Sequence, residues 1–99
     1  MVVFGSNLGW QCFFAALMYG VEVDGFEIVP YRHRASVLTS KAHDIGHGVR
    51  FHLEDAGNAK IEWSRVGLVY MTDLNWDEST SEWMPNQLTM HGHGVILVD

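Results

Sequence analysis

Five short apolar runs alternate with longer connecting stretches along this chain, and that alternation limits its fold more than any single residue does. Val2-Val3-Phe4 is a β-rich run ending at Gly5. Beyond the turn Gly5-Ser6-Asn7-Leu8-Gly9, the segment Trp10–Tyr19 reads as a helix closed by Gly20. Residues 21–29 hold a second strand. Pro30 suits the first turn of a following helix that runs to about Asp44 and stops near Gly46 and Gly48. Val49–Leu53 alternates like a third strand, and residues 59–63 read as a short helical turn. Residues 67–72 form a continuous apolar run of the kind found in central parallel strands. Residues 77–90 are weakly helical with Pro85 against them, and residues 95–98 form a last strand after Gly92 and Gly94. The order β-α-β-α-β-α-β-α-β requires crossover connections, so it predicts an α/β fold: a doubly wound, mostly parallel five-stranded sheet with helices on both faces.

The chain's 99 residues suit one domain, spanning positions 1–99, that begins inside its first strand and ends with its fifth. Such an abrupt frame predicts a fragment or a minimal version of a larger domain. Hydrophobic residues make up 47% of the chain and aromatics 12%, which suits a globular protein and argues against disorder. No apolar run approaches the roughly 20 residues that span a bilayer, and no basic segment marks a signal peptide. The single cysteine, Cys12, has no internal disulfide partner, which points to a reducing, intracellular and cytoplasmic setting. The net charge is −6, and the six Lys and Arg are scattered apart from Arg32 and Arg34. Phosphate backbones call for a basic face, so nucleic acid is a poor partner for this segment, and a neutral or cationic small ligand fits better.

In an open α/β sheet, ligands bind at the carboxyl ends of the strands, beside the first one. The loop Gly5-Ser6-Asn7-Leu8-Gly9 occupies that place. Glycine takes positive φ freely, and asparagine is the next most tolerant residue. The helix that follows offers free N–H groups at its start. A dinucleotide site would need Gly-x-Gly-x-x-Gly, but Trp10 fills the third glycine position. Glu27, 22 residues past Gly5, closes the second strand, where a carboxylate can accept both hydroxyls of a ribose.

The Gly5, Asn7 and Gly9 pattern resembles the first motif of the class I (Rossmann-like) S-adenosylmethionine (SAM)-dependent methyltransferases. The resemblance implies strand order 3-2-1-4-5 without the usual C-terminal antiparallel hairpin. It also implies SAM as cofactor, with Gly5, Ser6, Asn7 and Gly9 around the methionine end and Glu27 on the ribose. Phe51-His52-Leu53-Glu54-Asp55-Ala56 ends the third strand, where this superfamily commonly places an acid against the adenine amino group. The resemblance therefore assigns Asp55 and the backbone of Ala56 to the adenine. Strand four runs into Asp73-Leu74-Asn75-Trp76, spaced like the Asp-Pro-Pro-Tyr motif of amino-methylating enzymes but without the prolines. This implies catalytic roles for Asp73, Asn75 and Trp76 beside an acceptor that the sequence does not identify, with an amine favoured. One position departs from the family: the acid two residues before the first glycine is Val3 here. That departure favours the alternative of a catalytically inactive, methyltransferase-like interaction module.

Other residues fit structural roles. His43 and His47 have the spacing of a metal pair, but Gly46 interrupts their helix and His91 and His93 lie far along the chain, so surface histidines are expected and no metal. Cys12 is expected in the core as an inert thiol. Trp10, Phe13, Phe14 and Leu17 recur at helical spacing, which predicts that they pack into the core. Ser6 has no neighbouring His and acid to make it a nucleophile.

Overall fold

Five strands build one sheet in the computed structural model, which describes residues 1–45, 47–71 and 96–98. They are β1 (Val2–Phe4), β2 (Val23–Glu27), β3 (Val49–Leu53), β4 (Leu68–Met71) and β5 (Ile96–Val98), in the order β3-β2-β1-β4-β5. Each neighbouring pair is parallel. The register sets Val3 of β1 opposite Gly25 of β2 and Tyr70 of β4, and Gly25 opposite Phe51 of β3. This is the doubly wound order expected from the alternation and the resemblance. The expected helix over residues 77–90 lies outside the described residues.

Helix α1 (Trp10–Tyr19) starts and stops where its local signals put it, with Gly20 left-handed at φ 66° as its cap. Its buried face is the expected one at Cys12 and Phe13 but not at Trp10, Phe14 and Leu17. Cys12, Phe13 and Ala15 are buried, whereas Trp10, Phe14 and Leu17 are 66%, 58% and 62% exposed. Nine of the helix's ten residues, all but Gln11, are apolar, so periodicity alone does not choose the stripe that faces the sheet. Close approach chooses it. A Cβ placed on Gly25 would meet the Cys12 Sγ at 2.9 Å, so the helix rides directly over a bare strand backbone and contacts it through small side chains. Bulky residues at that contact would hold the helix away from the sheet. Cys12 sits in this interface as expected, and burial pushes its thiol up to about 12, which keeps it protonated and unreactive.

Helix α2 (Pro30–His43) opens with proline at its first position and packs along β3 and β2. Asp44 closes it in the left-handed conformation, at φ 51°. On the other side of the sheet, the β3–β4 connection corrects a second expectation. Residues 59–63 form no helical turn. Two 3-10 turns, Ala56–Asn58 and Trp63–Arg65, flank residues 59–62, which are neither helix nor strand. Ala59, Ile61 and Trp63 pack on a cluster of Val2, Phe4, Phe26, Val69 and Met71. Their spacing of two matches an extended chain that lays alternate side chains on the sheet, which a helical turn would not do. The opposite face holds Val3, Cys12, Ala15 and Val23, so both faces of β1 and β2 are covered.

Asp24, on the Phe26 face of β2, binds charge. Its Oδ1 and Oδ2 accept hydrogen bonds from Arg50 at 2.8 and 3.0 Å, and the His52 ring lies 3.0 Å from Oδ1. The Arg50 guanidinium holds the Asp24 carboxyl down to about 2, from a usual value of 3.8, with His52 adding to the effect. A carboxyl with a depressed folded-state pKa adds stability above its unfolded value, and this is lost as the pH falls through the folded one. The groups are partly exposed, so Asp24→Asn should cost only about 0.5–1 kcal/mol at pH 7. Urea unfolding should show the difference from wild type shrinking between pH 4 and pH 2. A gap that is unchanged at pH 2 would remove the ion pair as its cause.

Candidate functional site

The turn after β1 takes left-handed backbone conformations that its sequence tolerates. Gly5, Asn7 and Gly9 all have positive φ, at 69°, 54° and 93°. Their alternation winds the chain away from the end of β1 and into α1. The amides of Gly5 and Ser6 both donate to the Phe26 carbonyl, at 2.8 and 3.0 Å, which pins the start of the loop to the end of β2. The Gly9 amide donates to the Ser6 carbonyl at 2.8 Å and closes the turn. No side chain caps α1, and its first turn carries no acid, so the opening amides of the helix keep their affinity for an anionic group.

Glu27 faces this loop. Its Oε1 accepts the Asn7 N–H at 2.8 Å, and its Oε2 accepts the Val29 N–H at 3.0 Å, at the entry to α2. The residue is 5% exposed, yet each oxygen accepts only one of these two bonds and keeps a further lone-pair direction. The carboxylate therefore braces the loop and can still accept a hydrogen bond from a hydroxyl. The β3 end is tied to the same place, because the Glu54 N–H donates to the Glu27 carbonyl at 3.0 Å. Around this rim, Leu8, Ile28 and Leu53 are 41%, 60% and 51% exposed. Apolar surface beside a few fixed polar groups is the usual make-up of a small-molecule site.

The structure brings some of the sequence-identified residues together and sets others apart. Gly5, Asn7, Gly9 and Glu27 meet at the carboxyl ends of β1 and β2. Ser6 is under them: it is 1% exposed, and its Cβ and Oγ lie over Gly25, so its hydroxyl supports the loop from below. Asp55 lies beyond β3, where its Oδ1 accepts the Gly57 N–H at 2.7 Å and forms a tight turn at Ala56–Asn58. Asp73, Asn75 and Trp76 lie outside the described residues. Val3 is fully buried among apolar neighbours, so an apolar side chain suits the position where the related family carries an acid.

Two positions escaped the sequence reading. Gly25 provides the close helix-to-strand contact that a dinucleotide fold makes with its third loop glycine, which accounts for a tryptophan at position 10. A glycine inside an otherwise β-forming run was the available signal. Ser36 of α2 is fully buried, and its hydroxyl reaches the Asn7 carbonyl at 3.0 Å. No local pattern announces that contact, which joins residues 29 apart.

No family model and no curated protein matches the chain in sequence. Solved structures do match it in fold. An RNA methyltransferase from Salinibacter ruber, in complex with S-adenosyl-L-homocysteine (SAH), aligns with TM-score 0.74 at 21% identity, over 91% of this chain and 56% of that one. A SAM-dependent methyltransferase from Thiobacillus denitrificans, also in complex with SAH, aligns with TM-score 0.76 at 16% identity, over 97% of this chain and 39% of that one. A geranyl diphosphate C-methyltransferase from Streptomyces coelicolor A3(2) aligns with TM-score 0.67 at 15% identity, over 75% and 28%. The chain thus spans between about a quarter and a little over half of the length of these structures. The sheet order and these alignments identify its fold as the Rossmann-like fold of class I methyltransferases. No helix among the described residues is long and apolar enough to cross a membrane.

Proposed function

We propose that residues 1–99 form the SAM-binding domain of a SAM-dependent methyltransferase. The observation that carries this reading is the Glu27 carboxylate, which faces a left-handed turn made by Gly5, Asn7 and Gly9 at the carboxyl edge of a parallel sheet. The fold neighbours from S. ruber and T. denitrificans hold SAH, which makes SAM and SAH the ligands to test first.

The residues present fit such a ligand. The backbone of Gly5–Gly9 and the uncapped start of α1 suit the methionine end, whose carboxylate the helix amides attract. Glu27 accepts hydrogen bonds from the ribose hydroxyls through its remaining lone pairs. Exposed Ile28, next in sequence, offers apolar surface to the flat base, while Asp55 and the Ala56 backbone receive its polar edge. When bound, SAM would supply a methyl group on a sulfonium, to be passed in line to an acceptor nucleophile with SAH leaving as the neutral thioether. The chain's part is positioning and electrostatic complementarity, with no covalent intermediate on the protein. Asp73, Asn75 and Trp76, which follow β4, are the proposed acceptor side. An amine is the favoured acceptor, with Asp73 orienting it or taking its proton.

A second reading follows from Val3. With no acid at that position, the domain binds SAM or SAH but does not turn it over. Titration calorimetry separates the two readings, combined with transfer of a labelled methyl group to a pool of amine, hydroxyl and nucleic-acid acceptors. The first expects both binding and transfer. Binding without transfer to any acceptor would establish the second, and no heat at millimolar ligand would defeat both.

A further inference from the structure

We infer that Ser36 is a positioning residue that latches the Gly5–Gly9 loop in its ligand-receiving shape. This inference rests on the nucleoside-binding reading of the loop given above. Asn7 is gripped from both sides. The peptide before it donates its N–H to Glu27 Oε1 at 2.8 Å, and the peptide after it gives its carbonyl to the Ser36 hydroxyl at 3.0 Å. Between these two anchors Asn7 holds φ at 54°, a conformation that costs an L-residue energy that glycine would not pay. Two fixed hydrogen bonds are what keep a non-glycine residue there.

Ser36 is placed for this contact. It is fully buried, and it is the one described residue of α2 that is. A buried serine inside a helix can satisfy its hydroxyl with the carbonyl four residues back, and Arg32 offers that carbonyl at 3.1 Å. The single hydroxyl hydrogen is thus shared between the Arg32 and Asn7 carbonyls, at 3.1 and 3.0 Å, and only the second comes from a separate element. Release of this carbonyl would free the Asn7 peptides to rotate out of the left-handed region. The N–H held by Glu27 would turn with them, and the carboxylate would lose the contact that aims it along the loop. Ser36 touches no ligand on this account; it acts through Asn7 and Glu27.

The test uses the full chain and four forms of it: wild type, Ser36→Ala, Asn7→Gly and the double variant. SAH affinity is read by calorimetry, amide exchange at Asn7 and Gly9 by NMR on ligand-free protein, and global stability by urea. Ser36→Ala should weaken SAH binding by roughly 3- to 10-fold, the scale of one hydrogen bond, and speed exchange at Asn7 by a similar factor. Glycine at position 7 removes the strain that the latch opposes, so in the Asn7→Gly background the affinity loss should shrink to about 2-fold or less. An equal loss in both backgrounds, or unchanged exchange at Asn7, would overturn the inference and leave Ser36 as a space-filling helix residue. Should wild type fail to bind SAH, the nucleoside reading falls, and the exchange rates still decide whether Ser36 holds the loop.

Discussion

Glu27→Ala is expected to weaken SAH binding by about 1–3 kcal/mol, roughly 5- to 150-fold, because hydrogen bonds from a ribose to a charged acceptor are lost together. The same change should destabilise the fold by roughly 2–3 kcal/mol, since the Asn7 and Val29 amides lose a buried acceptor. Glu27→Gln distinguishes the two effects. It keeps one carbonyl acceptor but sets an NH2 group against one of the two amides, so a donor faces a donor. Its affinity should fall close to that of the alanine variant, with a smaller loss of stability because the side chain still fills its space. Calorimetry with SAH and urea unfolding on the same preparations measure both quantities. Unchanged affinity in a folded Glu27→Ala protein would remove this carboxylate from the site, and with it the strongest support for the proposed function.

Gly25→Val should be still more damaging to the fold. Even the first added carbon would lie 2.9 Å from the Cys12 Sγ, closer than real Cβ contacts come, and 3.0 and 3.2 Å from the Ser6 Cβ and Oγ, tighter than most of them. Neither neighbour has an easy retreat. Cys12 is fully buried in α1, and Ser6 is held by its amide on the Phe26 carbonyl. The helix would have to lift from the sheet and carry the Gly5–Gly9 loop with it. Overpacking of this kind costs about 1–3 kcal/mol for a methylene or two, and a branched side chain on a central strand belongs at or above the upper end. A fall in urea midpoint and a loss of SAH binding should appear together. Gly25→Ala combined with Cys12→Ala should recover part of the stability lost in Gly25→Ala alone, because the shortest of the three close contacts disappears. No recovery would place the strain at Ser6 rather than in the helix interface.

These two sites also show where local information stops. Glu27 could be found because the alternation of apolar runs fixes which residue ends the second strand, and its distance from Gly5 matches the crossover in between. The left-handed positions at Gly5, Asn7 and Gly9 could be found because residue type controls access to positive φ. The role of Gly25 is not decided locally, because its importance lies in what stands above it, a helix 13 residues earlier in the chain at Cys12. The buried stripe of α1 departs from its periodicity at Trp10, Phe14 and Leu17 for a related reason. A helix apolar on nearly every side contains several possible stripes, and only contact with a bare strand selects the one with small side chains. Residues 59–63 show the reverse case, in which tertiary packing at a spacing of two overrode a weak local preference for helix.

The sequence by itself determined the elements and their order: the strands, both ends of α1, the proline start of α2 and the parallel connectivity that crossovers impose. Those features depend on backbone sterics and on periodicity, which act between residues a few positions apart. Only the tertiary structure decided which face of α1 meets the sheet, that Ser36 reaches Asn7, and that the Glu27 carboxylate is committed to two backbone amides. Such contacts join groups brought together by the sheet order, and their strength depends on burial and direction, two properties that arise only once the layers have closed.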